Sequence, residues 1–208
     1  MRTLVVAAFV SLDGVMQGPG GPDEDRDGGF THGGWAAPYI DEDVLARAVG
    51  GAARADALLL GRRTYEEFAA TWPLAPADDP IGSRWTAVRK YVASRTLTSV
   101  GWENSTLLEG DVADAVAELK KSDGGEIQVH GSIQLVQTLL AHDLVDELQL
   151  AVIPVLVGSG KRLFGDGVGP ARFDLVATAT TRSGVVVGRY ARAGDITYGA
   201  VGPETGNW

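Results

Sequence analysis

The chain has no cysteine, which excludes disulfides, cysteine-ligated zinc, iron–sulfur clusters and thiol catalysis together. Such usage fits a cytoplasmic protein. Histidine is scarce as well: His32, His130 and His142 are dispersed and make no metal-ligand spacing, so no metal is expected. Basic residues are in deficit, 18 against 27 acidic, for a net charge of −9. The chain therefore lacks the basic surface that displaces counterions from phosphates, and nucleic acid is not an expected partner. No apolar run approaches the roughly 18 residues that span a membrane, and no membrane association is expected. The run after Met1-Arg2 is too short for a secretory signal and is interrupted by Ser11-Leu12-Asp13-Gly14, so it reads as a buried first strand.

What is present is a 208-residue chain, 45% apolar, rich enough to build one core and carrying 28 glycines. Strands are expected at 3–10, 57–60, 91–93, 127–129 and 148–152, several of them continuous apolar runs of the kind found where both sheet faces are covered. Helices are expected at 42–49, 64–70, 112–121 and 133–141. Asp111 caps the third of these and Gly124-Gly125 stops it. After Gly165 the rhythm changes. Segments 173–180 and 185–192 are β-rich and joined by Thr181-Arg182-Ser183-Gly184, a hairpin signature. The expected fold is α/β, a mostly parallel central sheet flanked by helices with an antiparallel C-terminal hairpin. No linker or repeat is visible, so 1–201 reads as a single domain and 202–208 as a flexible tail. Residues 17–38 hold seven glycines and four acidic residues, together with Phe30 and Trp35. A loop that long with apolar anchors reads as a lid over a pocket.

In open α/β sheets ligands sit beyond the carboxyl ends of the strands, so the residues just past each strand end carry the functional reading. The second strand runs into Gly61-Arg62-Arg63-Thr64 and a helix, whose first amides are unpaired donors suited to an anion. The third leads to Ser94-Arg95-Thr96, a hydroxyl beside a guanidinium, the chemistry that recognises a ribose 2′-phosphate. The fourth leads to His130-Gly131-Ser132-Ile133-Gln134, a second strand–glycine–helix junction suited to a pyrophosphate. There is no G-x-G-x-x-G, so the ordinary Rossmann fingerprint is absent.

These segments in this order (58–65, 92–95 and 129–135) resemble the successive NADPH-binding segments of the dihydrofolate reductase fold. Phe-Val-Ser-Leu-Asp-Gly at 9–14, and the strand and glycine turn at 146–164, resemble the RibD C-terminal branch, the riboflavin-pathway reductases. The resemblance covers about residues 2–200. It implies that Gly61, Arg62, Arg63 and Thr64 serve the phosphates of NADPH, Ser94 and Arg95 its 2′-phosphate, and Gly131, Ser132, Ile133 and Gln134 the pyrophosphate. Ala7 and Ala8 would present backbone groups to the nicotinamide carboxamide, and a homodimer is implied. The activity implied is an NADPH-dependent reductase transferring a hydride to a small planar heterocycle, as in 5-amino-6-(5-phosphoribosylamino)uracil reductase. Reduction of dihydrofolate or another pterin, and a non-catalytic NADPH-binding module, are the alternatives. The chain departs from dihydrofolate reductases in lacking an Asn-Gly-x-Leu-Pro-Trp loop. The pterin carboxylate also has no clear counterpart among Asp41, Glu42 and Asp43.

For the chemistry itself, Asp13 and Ser11 lie just after the first strand and are the catalytic candidates, Asp13 for managing the proton. Trp35 and Tyr39 are candidates for stacking on a planar substrate, and His130 for lining its pocket. Lys161 and Arg162 read as a solvated turn.

Overall fold

The computed structural model describes residues 1–166 and 168–202, so 203–208 of the expected tail lie outside the described residues. Among the described residues eight strands form one sheet: β1 (Leu4–Ser11), β2 (Ala55–Gly61), β3 (Arg89–Ala93), β4 (Ser105–Leu107), β5 (Glu126–His130), β6 (Glu147–Ile153), β7 (Arg172–Thr180) and β8 (Val186–Gly194). Their order is β4-β3-β2-β5-β1-β6-β8-β7. The first six in that order pair in parallel, and β8 then pairs antiparallel with both β6 and β7. The parallel strands read as apolar runs because helices cover both faces. Along β2, Leu59 joins a core with Val116, Leu135, Val136 and Leu139, whereas Leu58 and Leu60 join one with Tyr65, Trp85 and Trp102. That alternation is the pleat of a strand expressed in packing.

Among the described residues five α-helices flank the sheet: α1 (Glu42–Arg54), α2 (Arg62–Thr71), α3 (Pro80–Ala87), α4 (Val112–Lys121) and α5 (Ile133–Ala141). Capping separates them into two groups. The Asp41 carboxylate accepts from Val44 N at the start of α1, Asp79 from Gly82 N at α3, and Asp111 from Ala113 N and Asp114 N at α4. Neither α2 nor α5 receives a side-chain cap. Their first-turn donors must find acceptors elsewhere.

α1 runs through Gly50-Gly51, past the expected stop at residue 49. There α1 packs against β6: a Cβ on Gly51 would meet the Gln149 amide at 3.4 Å, about van der Waals contact. α3 and β4 are additions to the expected elements, an edge strand beyond β3 and a helix against α1. The expected hairpin forms, its turn closed by a hydrogen bond from Thr181 N to Val185 O.

Candidate functional site

A cavity of about 1060 Å³ opens along the carboxyl ends of β2, β3 and β5 and extends across β1 and β6 toward α1. That is at the upper end of small-molecule sites. Its lining includes every position expected to hold the coenzyme: Ala7, Ala8, Gly61 to Thr64, Ser94, Arg95 and Gly131 to Gln134. Three chain corners separated by about thirty residues each thus meet on one concavity.

Two of those corners are buttoned together directly. Gly61 N donates to Ser132 Oγ (2.8 Å), while Ser132 N (3.1 Å) and Ser132 Oγ (3.0 Å) donate to Thr64 Oγ1. Thr64 Oγ1 therefore accepts twice and keeps its own hydroxyl hydrogen. Gly131 has φ +54°, and a Cβ there would sit 2.8 Å from Thr64 Oγ1, so only glycine allows the approach. Ser132 is left-handed as well, at φ +58°, a strained backbone held by those bonds. The consequence is that the uncapped N-termini of α2 and α5 stand side by side.

The arginines divide. Arg62 pairs with Glu66 one turn along α2. The Arg63 guanidinium reaches Asp25 (3.2 Å) and Asp27 (2.8 Å), and Lys161 Nζ joins the same two carboxylates at 2.7 and 3.0 Å. The guanidinium and ammonium beside Asp27 hold its carboxyl down to about 2. Lys161, read from sequence as a solvated turn, is thus part of an ionic clasp at the cavity mouth. Arg95 is exposed and, among the described residues, has no ion-pair partner. Beside it Ser94 Oγ accepts from Thr96 N and Leu97 N, which turns the chain sharply after β3.

The residues expected to perform chemistry fall elsewhere. Asp13 and Ser11 do not line the cavity. Asp13 accepts from Ser11 Oγ (2.7 Å), Val157 N (3.1 Å) and Gly158 N (2.9 Å), fastening the glycine turn after β6 to the end of β1. Those donors, the Ser11 hydroxyl first, hold its carboxyl at about 2. A carboxylate so stabilised in its charged form is a poor proton carrier near neutrality. Trp35 and Tyr39, expected to stack on a planar substrate, instead pack with Val44, Ile153 and Val185, and Trp35 Nε1 donates to Gln17 O. Their apolar bodies anchor the 17–38 loop rather than face the cavity. Within that loop the buried Gln17 amide donates to Asp25 O and Asp27 O and accepts from Lys161 N, so the segment is built, not loose. The loop does border the cavity, through Gly18, Pro19, Gly20, Glu24, Asp25 and Asp27.

His130 is in the lining, as expected, packed on Trp85 with ring centroids 4.6 Å apart. Burial pulls its imidazole down to about 4, so it is neutral. Residues that sequence reasoning missed include Gln128 and Gln149, which stand on the sheet, and Arg47, Ala48 and Gly51 on α1. Asp41, Glu42 and Asp43 are absent from the lining. They face the β7–β8 turn, where Asp41 accepts from Ser183 N, and Arg182 reaches Asp43 and Glu42. No helix among the described residues is long and apolar enough to cross a membrane.

Comparison with known proteins agrees with this architecture. The chain is 30% identical over 192 residues to the uncharacterized protein YyaP of Bacillus subtilis (strain 168), covering 89% of this chain and 92% of that one. It is also 30% identical over 123 residues to the uncharacterized YwjB of the same organism, covering 59% and 66%. A Shewanella sp. PV-4 structure, provisionally assigned to riboflavin biosynthesis, superposes with a TM-score of 0.66 at 23% identity, over 92% of this chain and 99% of that one. A pyrimidine reductase-like protein from Corynebacterium diphtheriae gives 0.57 at 15% identity, over 93% and 92%. At such identities these two structures speak for the fold alone. The family model of the RibD C-terminal domain matches residues 2–187, and the chain belongs to that reductase-like family.

Proposed function

We propose that this protein is an NADPH-dependent reductase of a small planar heterocycle. One observation carries the reading. The N-termini of α2 and α5 border the cavity without a side-chain cap, and the close approach at Gly131 and Thr64 sets them side by side. At α1, α3 and α4 an aspartate takes these donors, that of α4 (Asp111) within the same cavity, whereas at α2 and α5 a bound anion would take the place of that carboxylate.

The residues present fit a phosphorylated dinucleotide. Gly61 and Gly131 make a cradle that a Cβ would crowd against Ser132 and Thr64, and the Thr64 hydroxyl retains a hydrogen to donate. Arg62, Arg63, Ile133 and Gln134 bring the first-turn amides of their helices to the phosphates. Ser94 and the unpaired Arg95 would hold the 2′-phosphate, because a guanidinium offers planar paired donors to such a group. Bound there, the coenzyme would supply a hydride. The protein's own part is to orient the substrate over β1, near Ala7 and Ala8, and to exclude water with the 17–38 loop. Asp13 and Ser11 serve in this reading as the fastening of the neighbouring turn.

Pterin reduction is not favoured, since the acidic residues at the start of α1 are engaged with the hairpin turn. The test is thermal unfolding with each coenzyme. NADPH should raise Tm well beyond the effect of NADH, and Arg95→Ala should remove most of that preference, a charged hydrogen bond contributing about 1.5–3 kcal/mol. Equal shifts from both coenzymes in the unaltered protein would overturn the assignment.

A further inference from the structure

Gln128 and His130 lie two residues apart on β5 and so face the same side of the sheet. The Gln128 side chain is buried, and its amide nitrogen is 2.9 Å from Gly51 O and 2.9 Å from Glu126 Oε2. Neither oxygen carries a hydrogen, so both amide hydrogens of Gln128 are used. Turning the amide over would set its oxygen against a carbonyl and a carboxylate. Its oxygen is therefore fixed toward His130, 3.1 Å from Nε2. An amide oxygen can only accept, so Nε2 carries the hydrogen, and a neutral ring then has its lone pair on Nδ1.

Nδ1 has no hydrogen-bond partner among the described residues. Nor does it belong with the buried side-chain atoms that lack one, which are Trp85 Nε1, Trp102 Nε1 and Ser105 Oγ. It is therefore not sealed off, and its residue borders the cavity. The orientation is held from both sides: Trp85 and Phe68 pack on the ring, and Glu126 is itself fixed by Arg54 (3.2 Å) and Arg189 (3.6 Å).

We propose that Gln128 is a positioning residue that fixes His130 as a hydrogen-bond acceptor, so that the molecule reduced here presents an N–H or O–H donor to Nδ1. The proposal rests on the reading of this cavity as the reductase site and adds a rule of substrate choice to it. His130 selects by accepting, and does not deliver a proton.

Two measurements test it. In the ¹⁵N-labelled protein, long-range ¹H–¹⁵N spectra of the His130 ring, assigned by loss of its signals in His130→Phe, should show a single neutral tautomer protonated at Nε2. Gln128→Met should shift that population toward Nδ1–H. An Nδ1–H ring or an imidazolium in the unaltered protein at pH 7 would overturn the proposal. Second, the protein saturated with NADP⁺ is titrated with 2-aminopyrimidine and with 2-dimethylaminopyrimidine, which keeps the ring and loses both donors. One neutral hydrogen bond predicts about tenfold preference for the amino probe, erased in His130→Phe. The same modest affinity for both probes before and after the substitution would overturn it. Failure of NADP⁺ to bind would strike the coenzyme assignment instead, and leave the tautomer spectrum as the deciding measurement.

Discussion

Asp13 shows how one side chain can carry a family-like motif and yet take a structural part. It sits in Phe-Val-Ser-Leu-Asp-Gly, directly after the first strand, where a proton carrier would be convenient. Its oxygens are instead filled by the Ser11 hydroxyl and the amides of Val157 and Gly158. Those donors hold the folded pKa near 2, below the ordinary 3.8. A carboxylate depressed in this way adds stability that is fully present above its unfolded pKa and is lost as pH falls through its folded one. The stability difference between the unaltered protein and Asp13→Asn, measured by urea unfolding, should therefore be constant at neutral pH and shrink between pH 3.8 and 2. A difference that changed between pH 6 and 8 would point to a different role for this residue. Asp-Gly after a strand is legible as a turn, but two of the three donors to Asp13, the amides of Val157 and Gly158, lie 144 and 145 residues away and leave no local trace. Trp35 and Tyr39 teach the same lesson. An aromatic ring in a glycine-rich loop reads equally as a platform or an anchor, and only the apolar cluster of Val44, Ile153 and Val185 decides for the anchor.

At the scale of elements, the parallel strands were legible because burial on both faces leaves continuous apolar runs, and α4 and α5 fall at their expected bounds. The omissions have physical causes. β4 is three residues long with two hydroxyl side chains, too short for a periodic signal. α3 starts at Asp79-Pro80, a legible cap and first-turn pair, but spans only eight residues. Its far end is completed from outside: the buried Lys90 ammonium donates to Trp85 O, Thr86 O and Val88 O, which no sequence window shows. The corner between β5 and α5 is where element geometry bears on the proposed coenzyme site. Gly131→Ala would force a side chain into a left-handed backbone and against Thr64. It should cost about 1–3 kcal/mol of stability. It should also reduce the Tm gain from NADPH more than the Tm of the free protein. Urea unfolding and thermal shifts on the same variant measure both, and an undiminished coenzyme shift would contradict the cradle.

On the scale of the whole molecule, the topology brings three distant corners to one concavity. Strand order β3-β2-β5-β1 sets the ends of β2 and β5 side by side and β3 next to them, so Gly61, Ser94 and Gly131 meet although about thirty residues separate each from the next. The strand–glycine–helix pattern made the Gly61 and Gly131 corners visible in the sequence, and the hydroxyl beside a guanidinium at Ser94-Arg95 marked the third. The part of the cavity toward α1 was not, because Arg47, Gly51, Gln128 and Gln149 come from a helix interior and from strands, with no motif to mark them. The most direct measurement is a crystal structure of the protein soaked with NADP⁺. The account predicts the pyrophosphate between the N-termini of α2 and α5 and the 2′-phosphate against Ser94 and Arg95. A dinucleotide bound away from those three corners, or none bound at saturating concentration, would contradict it.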